Sequence, residues 1–191
     1  MALLEYNEIT RKKFIVFEGE PYEILDSHVF RKQQRKPVNQ VKMRCLLGGR
    51  VVEHSFHGSE KAEEAELDTT PLKYLYLNKG EYWFCEVSDP SKRRPYSLDL
   101  IGDQGRFIKA NAIVDLLTFE DKIVGFKMPI KVDLKVTEAP PAVKGDTAQG
   151  ALKQATLETG VTINVPLFIN EGDTIRVNTE TGEYVERADK N

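Results

Sequence analysis

The chain has 191 residues, 27 Lys and Arg against 30 Asp and Glu, and a formal charge of −3, a balance that argues against a general nucleic-acid coat. Apolar residues at 40%, charged residues at 30% and a mean hydropathy of −0.42 exclude disorder and collagen-like order and leave enough Val, Ile, Leu and aromatics for real cores. The charge falls along the chain, from +1 over residues 1–65 to −1 over 66–129 and −3 over 130–191. No run of about 18 apolar residues occurs, and residues 1–10 carry Glu5 and Glu8 without a basic stretch or a cleavage site. The expectation is a cytoplasmic protein without a membrane segment.

Taken in chain order, the apolar residues alternate or come in short β-branched runs, and the pattern reads as all-β. Phe14 to Phe17 runs into the turn Glu18-Gly19-Glu20-Pro21, and Tyr22 to Leu25 continues on the far side. Val38 to Leu47 is the next strand, with Val41, Met43 and Cys45 alternating against Lys42 and Arg44. Gly48-Gly49 reverses it into Arg50 to His57. The stretch from Arg31 to Pro37 is therefore the tip between two strands, extended and exposed. Between Asp26 and Glu53 there is no acidic residue, while Arg31, Lys32, Arg35, Lys36, Lys42, Arg44 and Arg50 are all basic. Charges concentrated on a hairpin tip repel one another unless a polyanion offsets the repulsion, so this tip points to phosphate or nucleic-acid contact.

The acidic stretch from Glu60 to Asp68 reads as a solvated connector or strand edge. Beyond it, Tyr74-Leu75-Tyr76-Leu77 pairs with Tyr82-Trp83-Phe84-Cys85 across Asn78-Lys79-Gly80, with further strands over Ile113 to Leu117 and Ile123 to Phe126. A third unit opens near Ile130, where Val132, Leu134 and Val136 alternate with charged residues, and continues through Val161 to Val165, Ile175 to Val177 and Tyr184-Val185. Units of this size and strand content match small barrels of the SH3-like and OB types. The expected organisation is three small barrels in series, over residues 1–65, 66–129 and 130–191.

Other motifs carry less. Cys45 and Cys85 each lie in an apolar strand and read as buried free thiols. His54 and His57 would point to opposite faces of one strand, which does not make a metal site. Ser91-Lys92-Arg93-Arg94-Pro95 reads as a basic surface loop, and Gly102-Asp103-Gln104-Gly105 lacks the context of a phosphate loop. No nucleophile elbow, zinc helix or paired Cys and His is present, so no catalytic residue, cofactor or metal is expected.

The segment from Lys153 to Gly160, followed by Val161-Thr162-Ile163-Asn164-Val165-Pro166-Leu167-Phe168-Ile169 and Glu171-Gly172-Asp173, resembles the C-terminal signature of the bacterial elongation factor P family. Gly19-Glu20-Pro21-Tyr22, Val41-Lys42-Met43-Arg44 with Leu46-Leu47, Tyr74-Leu75-Tyr76 and the stretch from Thr179 to Arg187 extend the resemblance over nearly the whole chain. It implies an SH3-like (KOW-type) barrel followed by two OB barrels in an L-shaped, tRNA-like arrangement. It also implies a non-enzymatic, monomeric translation factor that binds the ribosome beside the peptidyl-tRNA and relieves stalling at consecutive prolines. The rival reading is an RNA- or ribosome-binding adaptor of the same fold without polyproline rescue.

By the resemblance, the tip residues Arg31, Lys32, Gln33, Gln34, Arg35 and Lys36 reach the acceptor end of the tRNA, flanked by the RNA-facing Lys42 and Arg44. Gly145, Asp146 and Thr147 approach exit-site messenger RNA, and Tyr184 and Arg187 lie near the small subunit; otherwise Tyr184 is a core residue and Arg187 a solvated charge. Counted back without gaps from Val41-Lys42-Met43-Arg44, the position that many family members modify is Gln34. A shifted register would place Lys32 or Lys36 there. Lys32-Gln33-Gln34-Arg35 replaces the common Pro-Gly-Lys-Gly apex, and amine-directed modifications do not transfer to a Gln. The tip is then expected to work unmodified, through Lys32, Arg35, Lys36 and the Gln34 amide. Intact mass spectrometry should return the 21.7 kDa of the bare chain. An adduct on Lys32 or Lys36 would overturn this.

Overall fold

The computed structural model describes residues 2–31, 36–141 and 152–188, which form sixteen strands in three antiparallel sheets and two short helical turns. The all-β expectation therefore holds. Among the described residues no helix is long and apolar enough to cross a membrane.

The first sheet contains β1 (Leu3–Glu5), β2 (Phe14–Phe17), β3 (Glu20–Phe30), β4 (Val38–Cys45), β5 (Val51–His57) and β6 (Lys61–Glu64), in the order β1-β6-β2-β3-β4-β5. Its turn from β2 to β3 uses Glu18 (φ 52°) and Gly19 (φ 80°), the left-handed pair that matches strand twist in a two-residue hairpin. The alternation read along β4 is reproduced: Val41, Met43 and Cys45 are buried and Lys42 and Arg44 exposed. They close a core with Ile9, Ile15, Tyr22, Ile24 and Phe56. One expectation fails here, because the acidic connector contains β6, a strand paired on both sides, to β1 and β2. Ala62, 5% exposed, is the inward residue that lets so polar a stretch join the sheet, and Lys61 bonds Glu5 at 2.7 Å.

The second sheet comprises β7 (Asp68–Asn78), β8 (Glu81–Glu86), β9 (Arg93–Ser97), β10 (Ile113–Phe119) and β11 (Lys122–Lys127), ordered β11-β10-β7-β8-β9. The third comprises β12 (Lys131–Glu138), β13 (Leu152–Leu157), β14 (Thr162–Pro166), β15 (Thr174–Asn178) and β16 (Tyr184–Arg187), ordered β14-β13-β12-β15-β16. Renumbered within each sheet, both orders are 3-2-1-4-5, the arrangement of a five-stranded OB-type barrel. The basic stretch expected to be a surface loop is in fact half strand, since Arg93 to Ser97 pair with β8. Between β9 and β10 the chain forms α1 (Leu98–Ile101) and a 3-10 turn (Asp103–Phe107), a departure from the all-β pattern. Gly105 is needed there, because a Cβ would lie 2.4 Å from the Ile101 side chain.

Contacts gather the chain into two units. One contains residues 1–70 and 117–125, where Phe119 and Val124 pack with Ala65, Phe14, Val16, Leu46 and Leu67. The other contains residues 71–116 and 126–191, where Phe107 belongs to the core of the third sheet with Leu134, Leu157, Ile169 and Ile175. The division at 65 and 129 stands as a proposal that places each sheet in its own domain.

Asn39 is fully buried on β4, and its side-chain amide donates to the Tyr6 carbonyl at 2.6 Å and the Ile9 carbonyl at 2.9 Å. Asn39→Ala strips both acceptors of their donor and should cost about 2–3 kcal/mol in urea denaturation with an unchanged m value. Asn39→Asp, which cannot donate, should cost at least as much. Burial also pushes the Tyr74, Tyr82 and Tyr96 phenols up. Their folded form is the neutral one, so the stability they lend is complete below the ordinary phenol value of about 10 and is lost as pH rises above it. Absorbance at 295 nm should still climb beyond that range and finish together with alkaline unfolding.

Candidate nucleic-acid interface

Strands β3 and β4 outrun the core they help to form. Up to Ile24 the inward residues of β3 are buried; a register shift between Ile24 and Asp26 then leaves Leu25 unpaired and bends the strand. From there the ladder continues through Ser27 with Val41, His28 with Gln40 and Val29 with Asn39, ending at Phe30 opposite Val38. Backbone hydrogen bonds thus carry the hairpin to the residues on either side of the basic tip. On its far side, β4 is paired along its length to β5. The strands on either side of the tip therefore belong to a three-strand ladder, β4 in its middle and β3 at its side.

Arg31 and Lys36 flank the tip and are exposed, while Lys32, Gln33, Gln34 and Arg35 lie outside the described residues. Lys42 is exposed on β4, and neither it, Arg31 nor Lys36 has an ion-pair partner among the described residues. Arg44 differs, since its guanidinium bonds Glu23 directly across the ladder at 2.7 Å. Arg50 is tied as well, to the Tyr22 hydroxyl at 2.7 Å and to Glu20 at 3.4 Å, and the bond to Tyr22 raises its pKa further. Of the seven basic residues counted in sequence, the five described are thereby sorted: Arg44 and Arg50 are spent on a carboxylate or a hydroxyl, while Arg31, Lys36 and Lys42 have no ion-pair partner among the described residues. His28 and Phe30, two apart on β3, stack at 6.3 Å with an interplanar angle of 23° at the root of the tip. Sequence reasoning passed over this pair; two rings at strand spacing beside the basic run were the available signal.

In the third sheet, Tyr184 is half-buried against the core. It also lines a cleft of about 540 Å³ with Arg106, Gln154, Asn164, Thr181 and Glu183. Arg187 bonds Asp173 at 2.7 Å, and the same carboxylate accepts from the Asn170 backbone N–H, so this Arg helps to close the turn before β15. Gly145, Asp146 and Thr147 lie outside the described residues. His54 packs its ring on Phe17 and Phe56, and His57 is exposed. Both cysteines are buried and free, and among the described residues no group of three His, Cys, Asp or Glu side chains could hold a metal.

Two family models match the chain: the elongation factor P KOW-like domain over residues 5–62 and the elongation factor P C-terminal domain over residues 132–187. The chain is 38% identical over 188 residues to an elongation factor P of Brachyspira hyodysenteriae, covering 98% of this chain and 100% of that one. It is 38% identical over 191 residues to one from Thermodesulfovibrio yellowstonii, covering 97% and 98%. With the relative from Carboxydothermus hydrogenoformans it shares 34% over 185 residues, covering 97% and 100%. A KOW-like sheet with an elongated basic hairpin, two sheets in OB-type order and matches of this extent agree on one conclusion: the chain belongs to the elongation factor P family.

Proposed function

We propose that this protein is a cytoplasmic translation elongation factor that binds the ribosome as a monomer next to the peptidyl-tRNA and promotes peptide-bond formation at consecutive prolines. Family membership supports the general reading. The observation that carries the specific one is the β3–β4 hairpin, a hydrogen-bonded ladder reaching past the core with uncompensated cations at Arg31, Lys36 and Lys42. Such a probe matches the acceptor end of a tRNA, whose phosphates attract the cations and whose unpaired bases can stack on rings such as His28 and Phe30.

The chemistry in this reading belongs to the ribosome. Proline is a poor donor and acceptor because its ring fixes φ and its nitrogen is secondary. A factor that braces the acceptor end holds the reactants close to the attacking geometry, and the rate gain is one of orientation. No covalent step on the factor is needed, and the protein is not an enzyme in this scheme. Contacts from residues 145–147 to exit-site messenger RNA and from Tyr184 and Arg187 to the small subunit belong to the same proposal. Because Arg187 is held by Asp173, its contribution would come from a fixed position.

A polyproline reporter in an extract lacking the factor tests this. Added protein should restore full-length product, whereas ribosome binding without rescue would favour the adaptor reading. Lys36→Glu, on an exposed position, should weaken both binding and rescue, and the salt dependence of binding should flatten by about one unit of slope for each phosphate no longer neutralised. Rescue unchanged by Lys36→Glu and by Arg35→Glu would remove the tip from the mechanism while leaving the family intact.

A further inference from the structure

The outward face of the second sheet carries a feature that the hairpin mechanism does not use. Strict alternation along β7 would send Tyr74 and Tyr76 to the same side, into the core. A register shift intervenes: Tyr74 pairs with Phe84, Tyr76 pairs with Trp83, and Leu75 is the extra residue between them. The bulge turns Tyr76 out, so that it is 43% exposed where Tyr74 is 7% exposed. Its ring stacks on Trp83 at 6.1 Å with an interplanar angle of 21°. Across the next ladder Trp83 faces Pro95, which is exposed on the edge strand β9, a place where a missing N–H costs no interior hydrogen bond. Tyr76, Trp83 and Pro95 thus form a row of three rings across β7, β8 and β9.

The neighbouring rungs supply charge. On one side Lys73, Cys85 and Arg93 stand in register; on the other stand Asn78, Glu81 and Ser97. Lys92 bonds Glu86 at 3.2 Å, and Arg93 donates its Nε to the Pro90 carbonyl at 3.4 Å. Lys73 has no ion-pair partner among the described residues. The Trp83 indole N–H is buried and finds no acceptor among them. In the order 3-2-1-4-5, β8 and β9 are strands 2 and 3, the pair whose face OB barrels use for oligonucleotides. A ring platform beside a cationic rung suits single-stranded nucleic acid, where bases stack on the rings and phosphates follow the cations.

We propose that the Tyr76–Trp83–Pro95 row, with Lys73 and Arg93, is a second nucleic-acid site, separate from the hairpin, that takes single-stranded RNA. The bulge at Leu75 is the device that builds it. A flat ring row would also suit a protein surface, but the cationic rung and the strand 2–3 position favour RNA.

Trp83 is the only Trp in the chain, so its fluorescence reports this face alone. Titrating the full-length protein with a single-stranded oligouridine should quench it saturably. Tyr76→Ala should weaken binding about tenfold or more, Tyr76→Phe should retain it, and Arg93→Glu should weaken it and flatten its salt dependence. Lys36→Glu should leave the quenching in place, which separates this site from the hairpin. The proposal is overturned if oligouridine leaves Trp83 unchanged, or if heparin or duplex RNA of equal length quenches equally. It is also overturned if purified ribosomal proteins quench where RNA does not. Should Tyr76→Ala fail to fold, Arg93→Glu and Tyr76→Phe decide the matter.

Discussion

The β3–β4 hairpin depends on one buried amide. Residues 6–9 run without regular structure across the root of the β3–β4 hairpin, and two of their carbonyls accept hydrogen bonds from a buried side chain there. The forked donor of Asn39 satisfies both from a single side chain, something a hydroxyl with one proton could not do. Asn39 is also a ladder partner of Val29, two residues before the tip begins. The same residue therefore fastens the N-terminal segment to the sheet and fixes where the hairpin leaves it. A probe that must place charge at a defined point needs such a root, because any wobble there is magnified along the strands beyond.

Electrostatics follow from the same geometry. Lys13 with Glu64, Lys61 with Glu5, Arg44 with Glu23, and Arg176 with Asp133 and Glu186 neutralise charge over the body of the protein. Exposed pairs of this kind contribute little stability, typically below about 1 kcal/mol each. Their larger effect is on the field: cations held by carboxylates do not recruit phosphate, while those without partners do. A chain of net charge −3 can thus carry local excesses of positive charge while the rest of its surface repels polyanions. The near-balance of the composition, which alone argues against nucleic acid, is the sum of these local differences.

Most of the fold could be read from the residues because several of its strands, β4 above all, alternate in burial along their length. The inward set of β4, the Gly turns and the hairpin tip follow from period two and from left-handed φ. Part of what was not legible comes from strands with too few large apolar residues to show a pattern. β6 enters the sheet on Ala62 alone, flanked by charge, and β9 on Tyr96 alone, after two arginines and a proline. β13, from Leu152 to Leu157, alternates Ala155 and Leu157 against polar residues, and its first residues resemble a loop end. The helical turns before β10 show too short a pattern to have a period. At the site, the basic run was visible as composition, but which cations are free depended on cross-strand partners, and the outward Tyr76 depended on a bulge that local sequence does not announce.

The position of Phe107 reaches beyond the finished structure to how it is made. This ring comes from the segment between β9 and β10, yet it is 1% exposed within the core of the third sheet, and the Phe107 and Arg106 side chains lie against Gly182 in the turn before β16. During synthesis, Phe107 emerges more than 70 residues ahead of that turn. Until the C-terminal strands arrive, it is an apolar side chain without a home, and until it docks, those strands close around a void. The second and third sheets are therefore obliged to mature together, and a ribosome releasing this chain early would leave its partly made copy with an open seam and no means of sealing it.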